Sequence, residues 1–172
     1  FHWVVFSSGQ GRVKEAKKSA GLFLEKASGK VVRVHEFKDG YFPYIGGEIK
    51  LIFEKLKAEI APDIILTHYR NDLHQDHRLI SELTWNTFRD HLILEYEIPK
   101  YDGDFGSPNL FMGLDESLCR KKVRNILKIF RSQKNKHWLK EDLLLSILRI
   151  RGMEAHSGLK YAEGFYCRKV VV

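Results

Sequence analysis

Short apolar runs alternate with amphipathic segments along this chain, and that alternation constrains the fold more than any other feature. Strands are predicted for residues 1–6, 31–37, 63–67, 92–98 and 161–172. Helices are predicted for residues 12–27, 47–61, 78–90, 116–130 and 138–151. Because strand and helix alternate, the chain is expected to build right-handed βαβ units. The predicted fold class is therefore α/β, with a mostly parallel sheet and helices on both faces.

Composition is typical of a globular domain with a core of its own. The 172 residues are 44% hydrophobic and 30% charged, which argues against a disordered chain. A chain of this size buries roughly 70% of its unfolded surface. No apolar run approaches the ~20 residues that a membrane-spanning helix needs. The two cysteines, Cys119 and Cys167, are too few for a disulfide framework, so a reducing, cytoplasmic setting is expected.

The positive charge of the chain is concentrated in one stretch. The formal net charge is +7, and residues 120–140 hold nine basic side chains with no acidic one between them. Without that stretch the chain carries 20 basic and 22 acidic side chains, a net charge of −2. Two interpretations remain: a solvated helix face, or a docking face for an anionic partner. Nucleic acid is not expected as a partner, because no aromatic-rich strand accompanies the charge.

The loop after the third predicted strand has the composition of a functional site. In parallel α/β sheets, ligands bind at the carboxyl ends of the strands. Residues 68–77 follow such a strand and hold three of the eight histidines and two aspartates. His74 and His77 are three positions apart, so in the first turn of a helix both rings point the same way. Asp76 is then placed to orient one of these imidazoles.

These residue types suit metal-assisted hydrolysis. A neutral imidazole is a good zinc ligand, and a protonated imidazole nearby stabilises a developing oxyanion. A catalytic zinc site keeps three protein ligands and one open position for water. His68 lies at the strand end, six residues before His74, which is poor spacing for a three-histidine site. One histidine ligand from this loop, with the others supplied from elsewhere, is expected. A hydrogen-bonded loop without metal is the alternative.

The chain resembles the PIG-L/LmbE-like family of zinc-dependent N-deacetylases. The matching segments occur in the family's order and cover most of the chain. They are residues 4–9 with Arg12 and Glu15, residues 37–40, residues 62–68, residues 71–77, and residues 149–152 followed by 161–165. The H-x-D-H segment that ends at His77, after a strand that begins with Pro-Asp, is the most specific of them.

The resemblance implies a Rossmann-like sheet and roles for five side chains. His77 corresponds to a zinc ligand, His74 to the residue that stabilises the tetrahedral oxyanion, and Asp76 to the residue that tunes that histidine. Arg12 and Asp39 correspond by position to residues that contact sugar hydroxyls. Simpler interpretations of those two are a solvated charge at a helix start and an Asp-Gly turn.

One family segment is absent from this sequence. Family members carry H-P-D-D-E at the end of their first strand, which supplies two further zinc ligands and the general base. The resemblance therefore implies that residues 1–172 form a single deacetylase domain that is N-terminally incomplete and lacks its first strand and helix. A longer natural protein is the expectation. The alternatives are a domain that is no longer a zinc enzyme, or one completed by another chain.

The expected function is zinc-dependent hydrolysis of the N-acetyl group of an N-acetylglucosamine-type conjugate, with release of acetate. The implied cofactor is Zn²⁺, and the implied partner is a small-molecule amino sugar conjugate. No nucleic acid and no membrane span are expected, and a homo-oligomer is one option for the assembly. Two alternatives come from other classes: a non-catalytic sugar- or nucleotide-binding domain, and a basic adaptor for anionic partners.

Overall fold

A computed structural model of the chain describes residues 1–9, 12–156 and 158–170. The strands in this part are β1 (His2–Val5), β2 (Val31–Val34), β3 (Ile64–His68), β4 (Leu92–Tyr96), β5 (Leu110–Leu114) and β6 (Tyr161–Cys167). The helices are α1 (Arg12–Phe23), α2 (Gly46–Glu59), α3 (Gln75–Thr87), α4 (Glu116–Ile129) and α5 (Glu141–Ala155). Short 3₁₀ turns span Phe42–Ile45 and Arg131–Gln133. The predicted α/β class is confirmed.

The chain divides into two compact units. Unit 1 comprises residues 1–39 and 114–161, and unit 2 comprises residues 40–113 and 162–172. Among the helices of the described residues, none has both the length and the apolar character needed to cross a bilayer. Both cysteines are free thiols, Cys119 buried in unit 1 and Cys167 half-buried in unit 2.

In unit 1, β1 and β2 pair in parallel, as the alternating pattern predicts. Their register runs from His2 opposite Val31 to Val5 opposite Val34. Helix α4 contacts both α1 and α5. Its apolar face supplies buried residues to a cluster made of Leu114, Cys119, Val123, Leu148 and Tyr161. The basic side chains of α4 therefore lie on its other faces, as expected for an amphipathic helix.

The start of α4 shows how the sequence sets a helix boundary. Asp115 has an extended backbone, and its Oδ1 accepts a hydrogen bond from the backbone N–H of Leu118 at 2.8 Å. This bond satisfies one of the donors that a helix leaves free at its first turn. Arg120 and Lys121, at the start of the basic stretch, pair with Glu116 and Glu25 at 2.6 and 2.5 Å.

Unit 2 is built on a mixed sheet with the strand order β3-β4-β6-β5. Strands β3 and β4 are parallel over their whole length, whereas β6 runs antiparallel to β4. The predicted parallel pairing is therefore confirmed for β3 and β4, and β6 is an antiparallel strand in a sheet predicted to be mostly parallel. An apolar run specifies a buried strand but carries no information on its direction. The predicted strand 161–172 ends at Cys167, and Val171 and Val172 lie outside the described residues.

Strand β5 was not predicted, because Met112 and Gly113 interrupt the β-favouring character of Leu110–Leu114. Elsewhere in unit 2, helix α3 packs against both β3 and α2. Ile49 and Phe53 on α2 and Ile80 on α3 are buried, as helical spacing of apolar residues requires. Helix α3 begins at Gln75, three residues before the predicted start, so its first turn includes the H-x-D-H segment.

Candidate functional site

The loop between β3 and α3 carries the candidate site of unit 2. The backbone N–H of Tyr69 donates to the carbonyl of Tyr96 at 3.0 Å, which continues the β3–β4 pairing one residue beyond β3. The N–H of Asp72 then donates to the Tyr69 carbonyl at 3.1 Å and closes a tight turn. This turn brings the chain directly from the strand end into helix α3.

Asp72 is the central residue of this loop, and its side chain is only 2% exposed. Oδ1 accepts from the backbone N–H of His74 at 2.7 Å, and Oδ2 lies 2.9 Å from Nδ1 of His77 and 3.0 Å from Nζ of Lys100. Burial alone raises the pKa of Asp72, but the hydrogen bonds and charges of His77, with those of His74 and Lys100, lower it to about 2. Asp72 is therefore a carboxylate at neutral pH.

The Asp72 contact fixes the tautomer of His77. A carboxylate only accepts hydrogen bonds, so Nδ1 of His77 carries the proton that points at Oδ2. In the neutral ring this leaves the lone pair on Nε2. Metal-binding histidines commonly have this arrangement, with one nitrogen bound to a carboxylate and the other to the ion. The donor set around His77 thus fits one zinc ligand, the role that the resemblance implies.

His74 has the opposite tautomer preference. It is the residue that caps α3, and its Nδ1 accepts from the backbone N–H of Asp76 at 3.3 Å. An Nδ1 that accepts carries no proton, so the neutral ring bears its hydrogen on Nε2. His74 thus presents an Nε2–H donor, and the protonated His74 expected from the sequence stays a prediction.

The Asp76 carboxylate is engaged by backbone groups rather than by the ring of His74. It is 2% exposed and accepts from the N–H of Gly40 at 2.6 Å and of Phe42 at 3.0 Å. Gln75 reinforces the same connection with a hydrogen bond from its side-chain amide to the carbonyl of Gly40. Asp76 therefore joins the start of α3 to residues 40–42. The proposed tuning of His74 by this carboxylate stays a prediction.

Three imidazole rings stack beside the loop, with His77 in the middle. The ring centroids of His68 and His77 are 4.2 Å apart with planes inclined by 26°, and those of His77 and His74 are 4.4 Å apart at 22°. Imidazole lone pairs lie in the ring plane, so nearly parallel rings do not converge on one ion. The arrangement supports one histidine ligand from this loop rather than three.

His68 is a neutral packing residue in this stack. Burial, followed by the nearby charge of His77, lowers the pKa of His68 to about 3. Its Nδ1 is buried and has no hydrogen-bond partner among the described residues. The Tyr96 ring lies 5.1 Å from that of His68, and burial, with the negative charge of Asp72, raises the pKa of Tyr96 to about 12.

A second loop supports the site, and sequence reasoning missed its residues. Lys100 pairs with both Asp72 and Asp104, and Asp104 accepts from the backbone N–H of Leu73 at 2.6 Å. Asp72 lies within the motif 71–77, but the resemblance assigns it no role. Its position two residues before His74, where an aspartate commonly accepts from the backbone, was the available signal. Nothing in the pattern around Lys100 and Asp104 indicated their contact with residues 72–73.

Arg12 and Asp39 lie together in unit 1. Nη2 of Arg12 is 3.8 Å from Oδ2 of Asp39, and the two side chains are 37% and 58% exposed. The two residues that the resemblance assigns to sugar binding are therefore neighbours in the structure. Their contact with a sugar stays a prediction.

The family assignment follows from a comparison with known families. The model of PIG-L, described as GlcNAc-PI de-N-acetylase, matches residues 4–88. Residues 4–88 belong to the PIG-L family. The PIG-L segment includes Arg12, Asp39, His74, Asp76 and His77. No curated protein matched the chain.

Solved structures share the fold of this chain. N,N'-diacetylchitobiose deacetylase from Pyrococcus horikoshii is 20% identical with a TM-score of 0.66, covering 97% of this chain and 72% of its own. The conserved protein TT1542 from Thermus thermophilus is 15% identical with a TM-score of 0.70, and the match covers 99% of this chain and 82% of TT1542. GalB, the 4-carboxy-2-hydroxymuconate hydratase from Pseudomonas putida KT2440, is 16% identical with a TM-score of 0.63. The match covers 99% of this chain and 85% of GalB. Because a deacetylase and a hydratase both appear, these likenesses establish the fold and not the reaction.

Proposed function

We propose that the protein containing this chain uses zinc to hydrolyse the N-acetyl group of an N-acetylglucosamine-type conjugate and releases acetate. The PIG-L match over residues 4–88 supports the reaction class. The name of the Pyrococcus horikoshii protein supports an amino sugar as substrate. The observation that carries the proposal is the 2.9 Å contact between Asp72 and Nδ1 of His77, because it leaves Nε2 of His77 available to a metal.

His77 would hold the zinc through Nε2. When bound, zinc supplies a Lewis acid for the acetyl carbonyl and lowers the pKa of a water molecule. Asp72 holds the His77 ring in the required tautomer. The family resemblance assigns the other ligands and the general base to an H-P-D-D-E segment, which this sequence does not contain.

His74 serves as the donor to the reacting carbonyl oxygen. As the amide is attacked, negative charge develops on that oxygen, and a positioned N–H stabilises it. The Nδ1 atom of His74 accepts from the backbone of Asp76, so Nε2–H is the hydrogen that His74 presents. Asp76 acts on His74 through its backbone N–H, while its carboxylate holds residues 40–42.

Arg12 and Asp39 bind the sugar in this proposal. A guanidinium donates hydrogen bonds and a carboxylate accepts them, so the pair matches both functions of sugar hydroxyl groups. The exposed fractions of the two side chains leave both accessible to a ligand.

The decisive experiment measures zinc and acetate on the same preparation. The protein that contains this chain is purified, its zinc content is determined, and acetate release is assayed with N-acetylglucosaminyl conjugates. We expect zinc bound in a one-to-one ratio and acetate release, with both lost in His77→Ala. His74→Ala is expected to keep zinc and to lose turnover by about 10²–10³-fold, the usual effect of removing one oxyanion donor.

His137→Ala is the matched control, because His137 is an exposed histidine in unit 1. It should retain both zinc and activity. Full zinc loading with no acetate released from any such conjugate would show that the reaction class is wrong. Zinc content unchanged by His77→Ala would remove the proposed ligand.

A further inference from the structure

A buried carboxylate on β4 organises a group of cations outside the histidine stack. Glu95 is 0% exposed, and its Oε1 accepts from Trp85 Nε1 at 2.7 Å and from Arg168 Nε at 2.9 Å. Arg70 contacts both oxygens: its Nε lies 3.3 Å from Oε1, and its backbone N–H donates to Oε2 at 2.9 Å. A buried carboxylate needs such partners, because burying an isolated charge is costly.

The two arginines leave this group with excess positive charge. Arg70 and Arg168 together carry two positive charges against the one negative charge of Glu95. Structural neutralisation of Glu95 requires one arginine, so the second is not explained by Glu95 alone. Both guanidinium groups approach the same oxygen, and they are therefore held close to each other despite their mutual repulsion.

Each guanidinium keeps its outer edge available. Both side chains bind Glu95 through Nε. Within the described residues, no acceptor contacts the Nη atoms of either arginine. The side chains are 38% and 36% exposed, so these Nη groups are accessible to a ligand. The pair thus presents several unmet N–H donors at one place in unit 2.

The orientation of Arg70 is fixed on a second side. Its guanidinium lies over the Trp85 ring, 4.9 Å from the ring centroid, while Trp85 itself is anchored to Glu95. An arginine held by a carboxylate at Nε and by an indole at its face loses little further freedom when it binds a ligand. The donors are therefore preorganised rather than mobile.

We propose that Arg70 and Arg168 form a binding subsite for an oxyanion, a phosphate or carboxylate group. Planar guanidinium groups with free Nη edges recognise such anions through paired, charge-assisted hydrogen bonds. The subsite is a property of unit 2 and does not depend on zinc. In the proposed deacetylase, the subsite would bind an anionic group in the part of the conjugate attached to the sugar. Only this assignment of the ligand rests on the proposed function.

The test titrates inorganic phosphate, and separately acetate, into the protein by isothermal titration calorimetry, with chloride at matched ionic strength as the reference. We expect saturable oxyanion binding that chloride does not reproduce. Tighter binding of phosphate would identify a phosphate subsite, and tighter binding of acetate a carboxylate subsite. If the wild-type protein binds neither phosphate nor acetate more strongly than chloride, the proposal is overturned and no variant is needed.

Charge-conserving variants separate this subsite from general electrostatic attraction. Arg70→Lys and Arg168→Lys keep a cation for Glu95 but remove the guanidinium edge, so each should weaken anion binding by about tenfold. Arg89→Lys is the control, because Arg89 is exposed in the same unit and its side chain contacts a backbone carbonyl of Asn86. It should bind as the wild type does. Equal weakening in all three, or no weakening in Arg70→Lys and Arg168→Lys, contradicts the subsite.

This result is independent of the acetate-release assay. Oxyanion binding together with zinc-loaded protein that releases no acetate would uphold the subsite and reject the deacetylase. Acetate release from a protein that binds no oxyanion would uphold the deacetylase and reject the subsite.

Discussion

The Oδ2 atom of Asp72 lies 2.9 Å from Nδ1 of His77, and this contact determines which nitrogen of the ring a ligand can reach. The same carboxylate also accepts from the backbone of His74 and pairs with Lys100. One buried side chain therefore sets the tautomer of His77, the position of His74 and the connection to the supporting loop. Substitutions at Asp72 should accordingly affect metal binding more than any other property.

Asp72→Asn is expected to weaken zinc binding by about 10–100-fold, the usual effect of removing a carboxylate behind a metal-bound histidine. The amide keeps the shape of the side chain but loses the negative charge that orients Nδ1–H. Zinc affinity is measured by competition with a chelator. Nitrogen-15 NMR of the metal-free protein provides a second measurement, in which the wild type should show the Nδ1–H tautomer of His77 and the variant a mixture.

Asp90→Asn is the matched control for this change, because Asp90 is an exposed aspartate just beyond α3. Its zinc affinity and its His77 tautomer should equal those of the wild type. An Asp72→Asn protein with unaltered tautomer and affinity would show that the contact has no orienting role.

Glu95→Leu is expected to lower the free energy of unfolding by on the order of 3 kcal/mol. The substitution leaves Trp85 Nε1 and the backbone N–H of Arg70 without their acceptor and two guanidinium groups without their counter-charge. Glu95→Gln retains an acceptor and should cost less. Urea unfolding of both variants measures the difference, with the exposed Glu82→Gln on α3 as the control. A Leu variant as stable as the wild type would contradict this account of Glu95.

The sequence was sufficient to locate the candidate site because its signals are local. The apolar run before His68 predicts β3, and the histidines and aspartates that follow it lie within ten residues. The supporting contacts are not local. Lys100 reaches back to Asp72, and Arg168 binds Glu95 across 73 positions of the chain. A pairing of that kind depends on the antiparallel direction of β6, which the alternating pattern did not contain.

Gly106→Ala is expected to destabilise unit 2 by about 1–3 kcal/mol, as overpacking does. A Cβ at this position would lie 2.6 Å from the Tyr166 hydroxyl and 2.9 Å from that of Tyr69. The Tyr166 hydroxyl cannot move freely, because it donates to Glu97 at 2.7 Å and accepts from the Gly106 N–H at 2.9 Å. Thermal unfolding measures the effect.

The control for that substitution is Gly47→Ala in the first turn of α2. A Cβ there meets no atom within 4 Å, and alanine is the better helix former. The control should be as stable as the wild type or slightly more stable. If Gly106→Ala behaved in the same way, the tyrosine hydroxyls would have to be far more mobile than their hydrogen bonds imply.

Acidification should destabilise the protein through His35, and His35→Phe should reduce that loss. The ring of His35 stacks between Phe6 and Phe37, with centroids 5.7 and 6.0 Å away, and its Nε2 has no hydrogen-bond partner among the described residues. Burial, followed by the positive charge of Arg33, lowers the pKa of His35 below its ordinary value of 6.5. The unfolded chain therefore takes up this proton at a higher pH than the folded chain does. The stabilising contribution is complete above pH 6.5 and is lost as the pH falls below it.

Phenylalanine keeps the aromatic stack and has no proton to gain, so the stability of His35→Phe relative to the wild type should increase as the pH is lowered from about 7.5 to about 5.5. Denaturant unfolding at the two pH values measures that change. Val34→Ala, in the same strand, removes apolar contact but no titrating group, so its cost should be the same at both pH values. A constant difference between His35→Phe and the wild type would mean that His35 titrates alike in the folded and unfolded chains, and that its position between two phenylalanine rings has no electrostatic consequence.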